Sequence, residues 1–203
     1  YLQYFYKTSG RKIDNQFFSD LEKVEFELPN GFSDFEIFPI EKFSSTTNGF
    51  DNPLDTAKYK RMLVISPFID VATINKLKKN SGRLTLISRK EELDQIETGN
   101  LRGMDLYCMN PLIPDGEDFF DTEGIEPRSQ NLHAKIFIGD DGETSDWFIG
   151  SANATAPAFD RNVELMVKVN TSEKYKRLRR IKWELLEQQE TLFQPYLAGS
   201  EIE

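Results

Sequence analysis

The spacing of apolar positions changes character twice along these 203 residues. Over residues 15–23 they recur at helical intervals, with Phe17, Phe18 and Leu21 on one stripe. Residues 24–28 and 35–40 then alternate like half-buried strands, joined through the turn sequence Pro29-Asn30-Gly31. Residues 44–53 are polar and read as a loop. From residue 60 short, continuous apolar runs take over, and 62–65, 84–87 and 105–109 each predict a buried strand. Between them, 70–79 and 91–97 predict helices, the first carrying Val71, Ile74 and Leu77 on one face behind Asp70 as N-cap. A polar, acidic loop over 111–129 precedes three more predicted strands, 132–138, 147–149 and 163–169. A long helix follows, capped by Thr171 or Ser172, with Tyr175, Leu178, Ile181 and Leu185 on its apolar stripe.

Strands alternating with helices predict an α/β fold, a mixed and partly parallel sheet flanked by helices. Residues 1–57 have a different rhythm and hold nine of the sixteen phenylalanines. They are expected to form a strand/helix extension packed on a main domain over 58–203.

Charge changes this picture only locally. The net charge of −9 argues against a polyanionic partner. Yet Lys174, Lys176, Arg177, Arg179, Arg180 and Lys182 crowd one stretch, and the acidic residues of 115–126 crowd another. The single cysteine, Cys108, excludes an internal disulfide and fits a reducing, cytoplasmic setting. One histidine and one cysteine make a poor ligand set for a transition metal, so neither metal nor cofactor is expected. No apolar run has the length of a membrane span, and no membrane insertion is expected. The chain opens on Tyr1 and reads as a piece of a longer protein.

The chemistry concentrates around that one histidine. In the predicted strand 132–138, alternation puts His133, Lys135 and Phe137 on one face and Leu132, Ala134, Ile136 and Ile138 on the other. Imidazole and ammonium are then about 7 Å apart along the backbone. The lysine disfavours the imidazolium, which keeps the ring neutral and nucleophilic, and the pair attracts an anion. The next strand runs into Gly150-Ser151-Ala152-Asn153, where glycine permits close backbone approach and the hydroxyl and carboxamide supply neutral donors for phosphate oxygens. In 163–169, Val163, Leu165, Val167 and Val169 form the apolar face, so Glu164 looks away from them. There it can accept from the imidazole and fix its tautomer.

Each of these signals has a bland reading as a surface or structural residue. Their order is what resembles the phospholipase D superfamily: His133, Lys135 and Asp140 spaced H-x-K-x4-D, then Gly150, Ser151 and Asn153, then Glu164. The resemblance covers roughly residues 60–190 and includes the run Leu63-Val64-Ile65-Ser66-Pro67-Phe68. It implies one phospholipase D-like half-domain and a metal-independent phosphodiesterase. His133 would be the nucleophile forming a phosphohistidine, with Lys135, Asn153 and Glu164 completing the catalytic set. Lys135, Ser151 and Asn153 would hold the phosphate, while Asp140 and Gly150 would be structural. The family uses two such motifs and this chain has one, so the second is expected from a dimer mate or from the rest of a longer chain.

The phrase Gly-Ser-Ala-Asn-Ala-Thr followed by Asn-Val-Glu looks like nuclease-like bacterial members found within larger proteins, some in defence settings. That leans toward nucleic acid as partner, with Lys174, Arg177 and Arg180 as candidate contacts. Two alternatives stand beside it: a non-catalytic phosphate- or nucleic-acid-binding module, and a phospholipid-hydrolysing or transphosphatidylating enzyme.

Overall fold

The computed structural model describes residues 15–40, 52–110, 132–188 and 192–199. The predicted acidic loop 111–129 and most of the loop 44–53 lie outside them. The chain divides into two compact units, Tyr1–Asn30 and Gly31–Glu203. The division falls earlier than the boundary drawn at residue 57, and the strand predicted at 35–40 is built into the sheet of the second unit.

In the first unit the helical stripe is realised as α1 (Asn15–Leu21). The alternating residues 24–28 form no strand. An alternating pattern becomes a strand only when a neighbouring backbone takes its N–H and C=O groups. Val24, Phe26 and Leu28 are all exposed here.

The second unit is organised by an eight-stranded sheet of the described residues. In chain order its elements are β1 (Asp34–Ile40), α2 (Pro53–Thr56), β2 (Arg61–Ile65), α3 (Val71–Asn80), β3 (Leu84–Ser88), α4 (Lys90–Asp94), α5 (Thr98–Leu101) and β4 (Asp105–Met109). Then come β5 (Ile136–Asp140), β6 (Ser145–Gly150), α6 (Ala156–Asp160), β7 (Glu164–Thr171), α7 (Leu178–Leu186) and β8 (Phe193–Pro195). The sheet order is β1-β7-β6-β5-β2-β3-β4-β8. Only β2, β3 and β4 run parallel to one another, and every other pairing is antiparallel. The expected mixed sheet flanked by helices is the observed architecture.

Apolar residues on both sides of the central strands explain the continuous rather than alternating runs. Met62, Val64, Leu84, Leu86, Phe137 and Phe148 face one core, shared with Ile74 and Leu77 of α3 and Phe159 of α6. Phe137 and Phe148 are cross-strand partners, and Phe137 meets Phe159 at 5.8 Å between ring centroids. Leu63, Ile65, Ile87 and Ile138 face the other core, closed by Leu178 of α7 with Ile181 and Leu185.

Helix ends follow local chemistry. Asp70 caps α3 as expected, its carboxylate accepting from Thr73 N at 2.7 Å. Neither Thr171 nor Ser172 caps the last helix, which starts later, behind Arg177. Thr171 instead ends β7, buried, and its hydroxyl donates to Gly31 O at 2.6 Å. The predicted helix 91–97 is realised only as far as Asp94, as α4, and α2, α5, α6 and β8 carry no periodicity long enough to predict them.

The face assignment in β7 also changes. Met166, on the same side as Glu164, is 1% exposed, whereas Val163 and Leu165 of the supposed buried face are 39% and 48% exposed. Met166 sits in the first core, while Val163 and Leu165 belong to neither core.

Candidate active site

One edge of the sheet collects the candidate residues. β2 and β3 end there with Ser66 and Arg89 beyond them. The antiparallel β5 begins there, β6 ends there and β7 begins there. Carboxyl ends of parallel strands are where open α/β sheets place ligands, because the chain turns away and leaves backbone and side chains free.

The strand predicted at 132–138 starts later, at Ile136. His133 and Lys135 therefore stand on the approach to β5, His133 exposed and Lys135 half-buried. Two contacts shape this approach. Lys135 Nζ donates to His133 O at 2.9 Å, and Arg89 donates through Nε and Nη2 to Leu132 O at 3.3 and 3.1 Å. Arg89 also lies over the Phe68 ring, 4.6 Å from its centroid. A cation and an aromatic ring from the ends of two other strands thus anchor the residue just before the histidine.

Backbone pairing carries the next segment alongside. Gly150 N donates to Lys135 O at 3.3 Å. A Cβ at Gly150 would lie 2.1 Å from Leu165 O and 2.8 Å from Met166 Cα, so only glycine fits between β6 and β7. Ser151 N then donates to Leu165 O at 3.0 Å, and Ser151 Oγ donates to Glu164 Oε2 at 2.5 Å. Asn162 Nδ2 donates to the other carboxylate oxygen at 3.1 Å. The expected bond from the imidazole to Glu164 is not among the hydrogen bonds of the described residues. Glu164 nonetheless lies within electrostatic reach of Lys135.

Asn153 is flanked by Ala152 and Ala154, both fully buried. Ala154 N donates to Ser66 Oγ at 2.9 Å, and that hydroxyl donates to Phe68 O at 2.6 Å. This fixes the Asn153 segment to the end of β2. The Asn153 Oδ1 atom is buried without a hydrogen-bond partner.

Burial, with the Arg89 guanidinium as a second cause, lowers the Lys135 ammonium from the ordinary lysine value, and the Glu164 carboxylate opposes the shift. Lys135 and Arg89 supply cations at this edge suited to a phosphate oxygen, beside the Glu164 carboxylate.

Asp140 is elsewhere. It lies at the far end of β5, fully buried. Its carboxylate pairs with Arg61 at 2.9 Å and faces Arg177 Nε at 3.7 Å, while accepting from Ser145 Oγ and Gly142 N. Gly142, at φ +103°, makes the hairpin tip possible. The candidate contacts Lys174, Arg177 and Arg180 also gather at this opposite end. Arg177 is largely committed there, donating to Gly142 O, and Arg180 donates to Glu184 at 2.6 Å.

Sequence reasoning missed Arg89, Phe68 and Asn162. Arg89 was legible in principle, as a cation directly after a buried parallel strand.

The mixed sheet flanked by helices is the fold of a phospholipase D-like α/β domain. Residues 54–186 match the profile of the family described as cardiolipin synthase, PLD-like domain, and the chain belongs to that family. No curated protein sequence matches. Solved structures with a similar fold include phosphatidylserine synthase of Haemophilus influenzae Rd KW20, at 14% identity and TM-score 0.49, over 91% of this chain and 46% of that one. Nuc of Salmonella typhimurium, a phospholipase D family member, is 16% identical at TM-score 0.46, over 80% and 97%. Yeast tyrosyl-DNA phosphodiesterase is 15% identical at TM-score 0.45, over 66% of this chain and 31% of its own length. The chain thus spans about a third of that last protein. Among the described residues no helix is long and apolar enough to cross a membrane.

Proposed function

We propose that this chain is a phosphodiesterase that cleaves nucleic acid without a metal, through a phosphohistidine at His133. What supports the reading is one observation: His133, Lys135, Ser151, Asn153 and Glu164 belong to three separate segments, and strand pairing brings those segments to one sheet edge. A neutral imidazole nitrogen attacks phosphorus while the bond to the leaving oxygen breaks. Lys135 and the Asn153 carboxamide hold the non-bridging oxygens. Glu164, steadied by Ser151 and Asn162, keeps Lys135 protonated and the site oriented.

The leaving oxygen needs a proton, and the only histidine of the chain is occupied as nucleophile. A second copy of the motif supplies the acid, from a dimer mate or from the rest of a longer chain. In the second step that same group accepts a proton from water as the water displaces His133 from phosphorus. Exposed Ile149 and Leu165 border Gly150, Ser151 and Glu164 and give such a partner an apolar surface to cover. Nucleic acid is favoured over phospholipid by the basic, aromatic-lined groove on the same unit.

The test offers single-stranded DNA, RNA and an anionic phospholipid, each in the presence of a chelator. Expected is cleavage of nucleic acid, with a radiolabelled phosphoryl group trapped on wild-type protein by alkaline denaturation and absent in His133→Ala. Turnover of the lipid alone would overturn the substrate. Label retained on His133→Ala would overturn the nucleophile.

A further inference from the structure

An open groove of about 940 Å³ lies at the hairpin end of β5 and β6, beside α7. Five cations line it: Arg61, Lys174, Arg177, Arg179 and Arg180, against a single acid, Glu187. Such a concentration is unexpected in a chain of net charge −9. The fold uses only part of it. Arg61 and Arg177 share one carboxylate, Asp140, and the Nε atom of each is buried without a hydrogen-bond partner. Arg180 is matched by Glu184. Lys174 and Arg179 have no ion pair among the described residues. Like charges gathered in one groove repel one another, and Asp140, Glu184 and Glu187 offset only part of the five, so a polyanion would relieve the remainder.

Two aromatic side chains complete the wall. Tyr175 is 72% exposed, an unusual position for a ring that no packing requires. Trp183 stands beneath the Arg180 guanidinium, 4.3 Å from its ring centroid. Cations that track a backbone, interleaved with flat rings on which bases stack, make a platform for single-stranded nucleic acid. A duplex offers the cations the same phosphates but leaves Tyr175 no unpaired base.

The groove is not the reaction centre. Asp140, which Arg61 and Arg177 hold, lies seven residues from His133 along the chain, at most about 23 Å at roughly 3.3 Å per residue, and at the opposite end of β5. We propose that this groove is a separate binding site for single-stranded nucleic acid, which grips the strand away from the phosphate to be cleaved. At about 3.4 Å per nucleotide, a strand that stays stacked and is shorter than about seven nucleotides does not span this distance. That length dependence rests on the nuclease reading. The binding itself does not.

The test uses the 203-residue chain and a labelled single strand of about 16 nucleotides, the upper end of ordinary single-strand site sizes. Wild-type protein, His133→Ala and the combined variant Lys174→Ala, Tyr175→Ala, Arg179→Ala are compared by fluorescence anisotropy over a salt series. Expected is binding in wild type and in His133→Ala alike, weakened about tenfold or more in the combined variant. The slope of log affinity against log salt should become shallower by about 1.4, two contacts at about 0.7 each. Hydrolysis of a small chromogenic phosphodiester should be unchanged in the combined variant. Should no protein turn over any phosphodiester while this binding pattern holds, the catalytic reading fails and the groove stands. The proposal is overturned if wild type does not bind the strand, if the combined variant binds as tightly as wild type, or if a duplex is preferred and Tyr175→Ala alone has no effect.

Discussion

Ser151 Oγ donates to Glu164 Oε2 at 2.5 Å and, at the same atom, accepts from Leu165 N at 3.0 Å. One hydroxyl thus ties the end of β6 to the start of β7 and holds the carboxylate on the side that Lys135 shares. A hydrogen bond to a charged group is worth about 1.5–3 kcal/mol. Ser151→Ala should therefore lower kcat/KM roughly tenfold or more, while the melting temperature changes little because the site is exposed. Steady-state kinetics beside a thermal melt check this, and unchanged kinetics would remove Glu164 positioning from the mechanism.

His133 is exposed and contributes no packing, so His133→Ala should leave stability within about 0.5 kcal/mol of wild type. Its activity should be undetectable. Denaturant titration and a phosphodiesterase assay on the same preparation separate the two effects.

Arg89 and Glu164 push the Lys135 ammonium in opposite directions. If Lys135 must be protonated to hold phosphate, activity falls as pH rises through its lowered pKa. Arg89→Gln removes a cation that disfavours protonation, so the basic limb of the pH profile should move to higher pH. Glu164→Gln should move it to lower pH. Both variants lose turnover, since Arg89 also anchors Leu132 and Glu164 orients the site. The direction of each limb is the measurement that counts, and identical profiles would exclude Lys135 as the titrating group.

Asp140 is buried between two guanidiniums, a hydroxyl and a backbone N–H. Asp140→Ala leaves Arg61 and Arg177 facing each other uncompensated, at a cost on the order of 3 kcal/mol. A fall in Tm of roughly 10 °C is expected for a unit of this size. Below that lowered Tm the variant should still turn over substrate, because Asp140 lies at the opposite end of β5 from His133.

Burial alone would raise the Asp105 carboxyl, but Arg83 and Lys182 outweigh it and hold it at about 2. Its folded pKa lies below the unfolded value of about 3.9. Its stabilising contribution is therefore fully present above the unfolded value and lost as pH falls toward 2. Asp105→Asn should be less stable than wild type near neutrality, and the difference should shrink across that acid window. Denaturant midpoints at several pH values would show it.

The residue pattern by itself determined the alternation of strands and helices from residue 60 onward and the Asp70 cap, and it proposed the group of residues centred on His133. These are local properties. A run of four apolar residues buries both faces wherever it sits, and Gly150 is needed wherever two backbones close to van der Waals contact. Tertiary structure decided which elements adjoin and at which end. Glu164 meets Ser151 and Asn162 because β6 and β7 pair in one register. Arg89 reaches Leu132 because β3 ends at the same end of the sheet where β5 begins, with only the end of β2 between them. The basic stretch belongs to the opposite end of the sheet because β7 ends there and α7 begins beside the hairpin, where Leu178 N donates to Ser145 Oγ. Met166, rather than Leu165, is buried because its side of β7 faces the first core at that end. Periodicity fixes which residues share a face within one element, but the order and direction of strands follow from contacts between residues far apart in the chain, which no local spacing encodes.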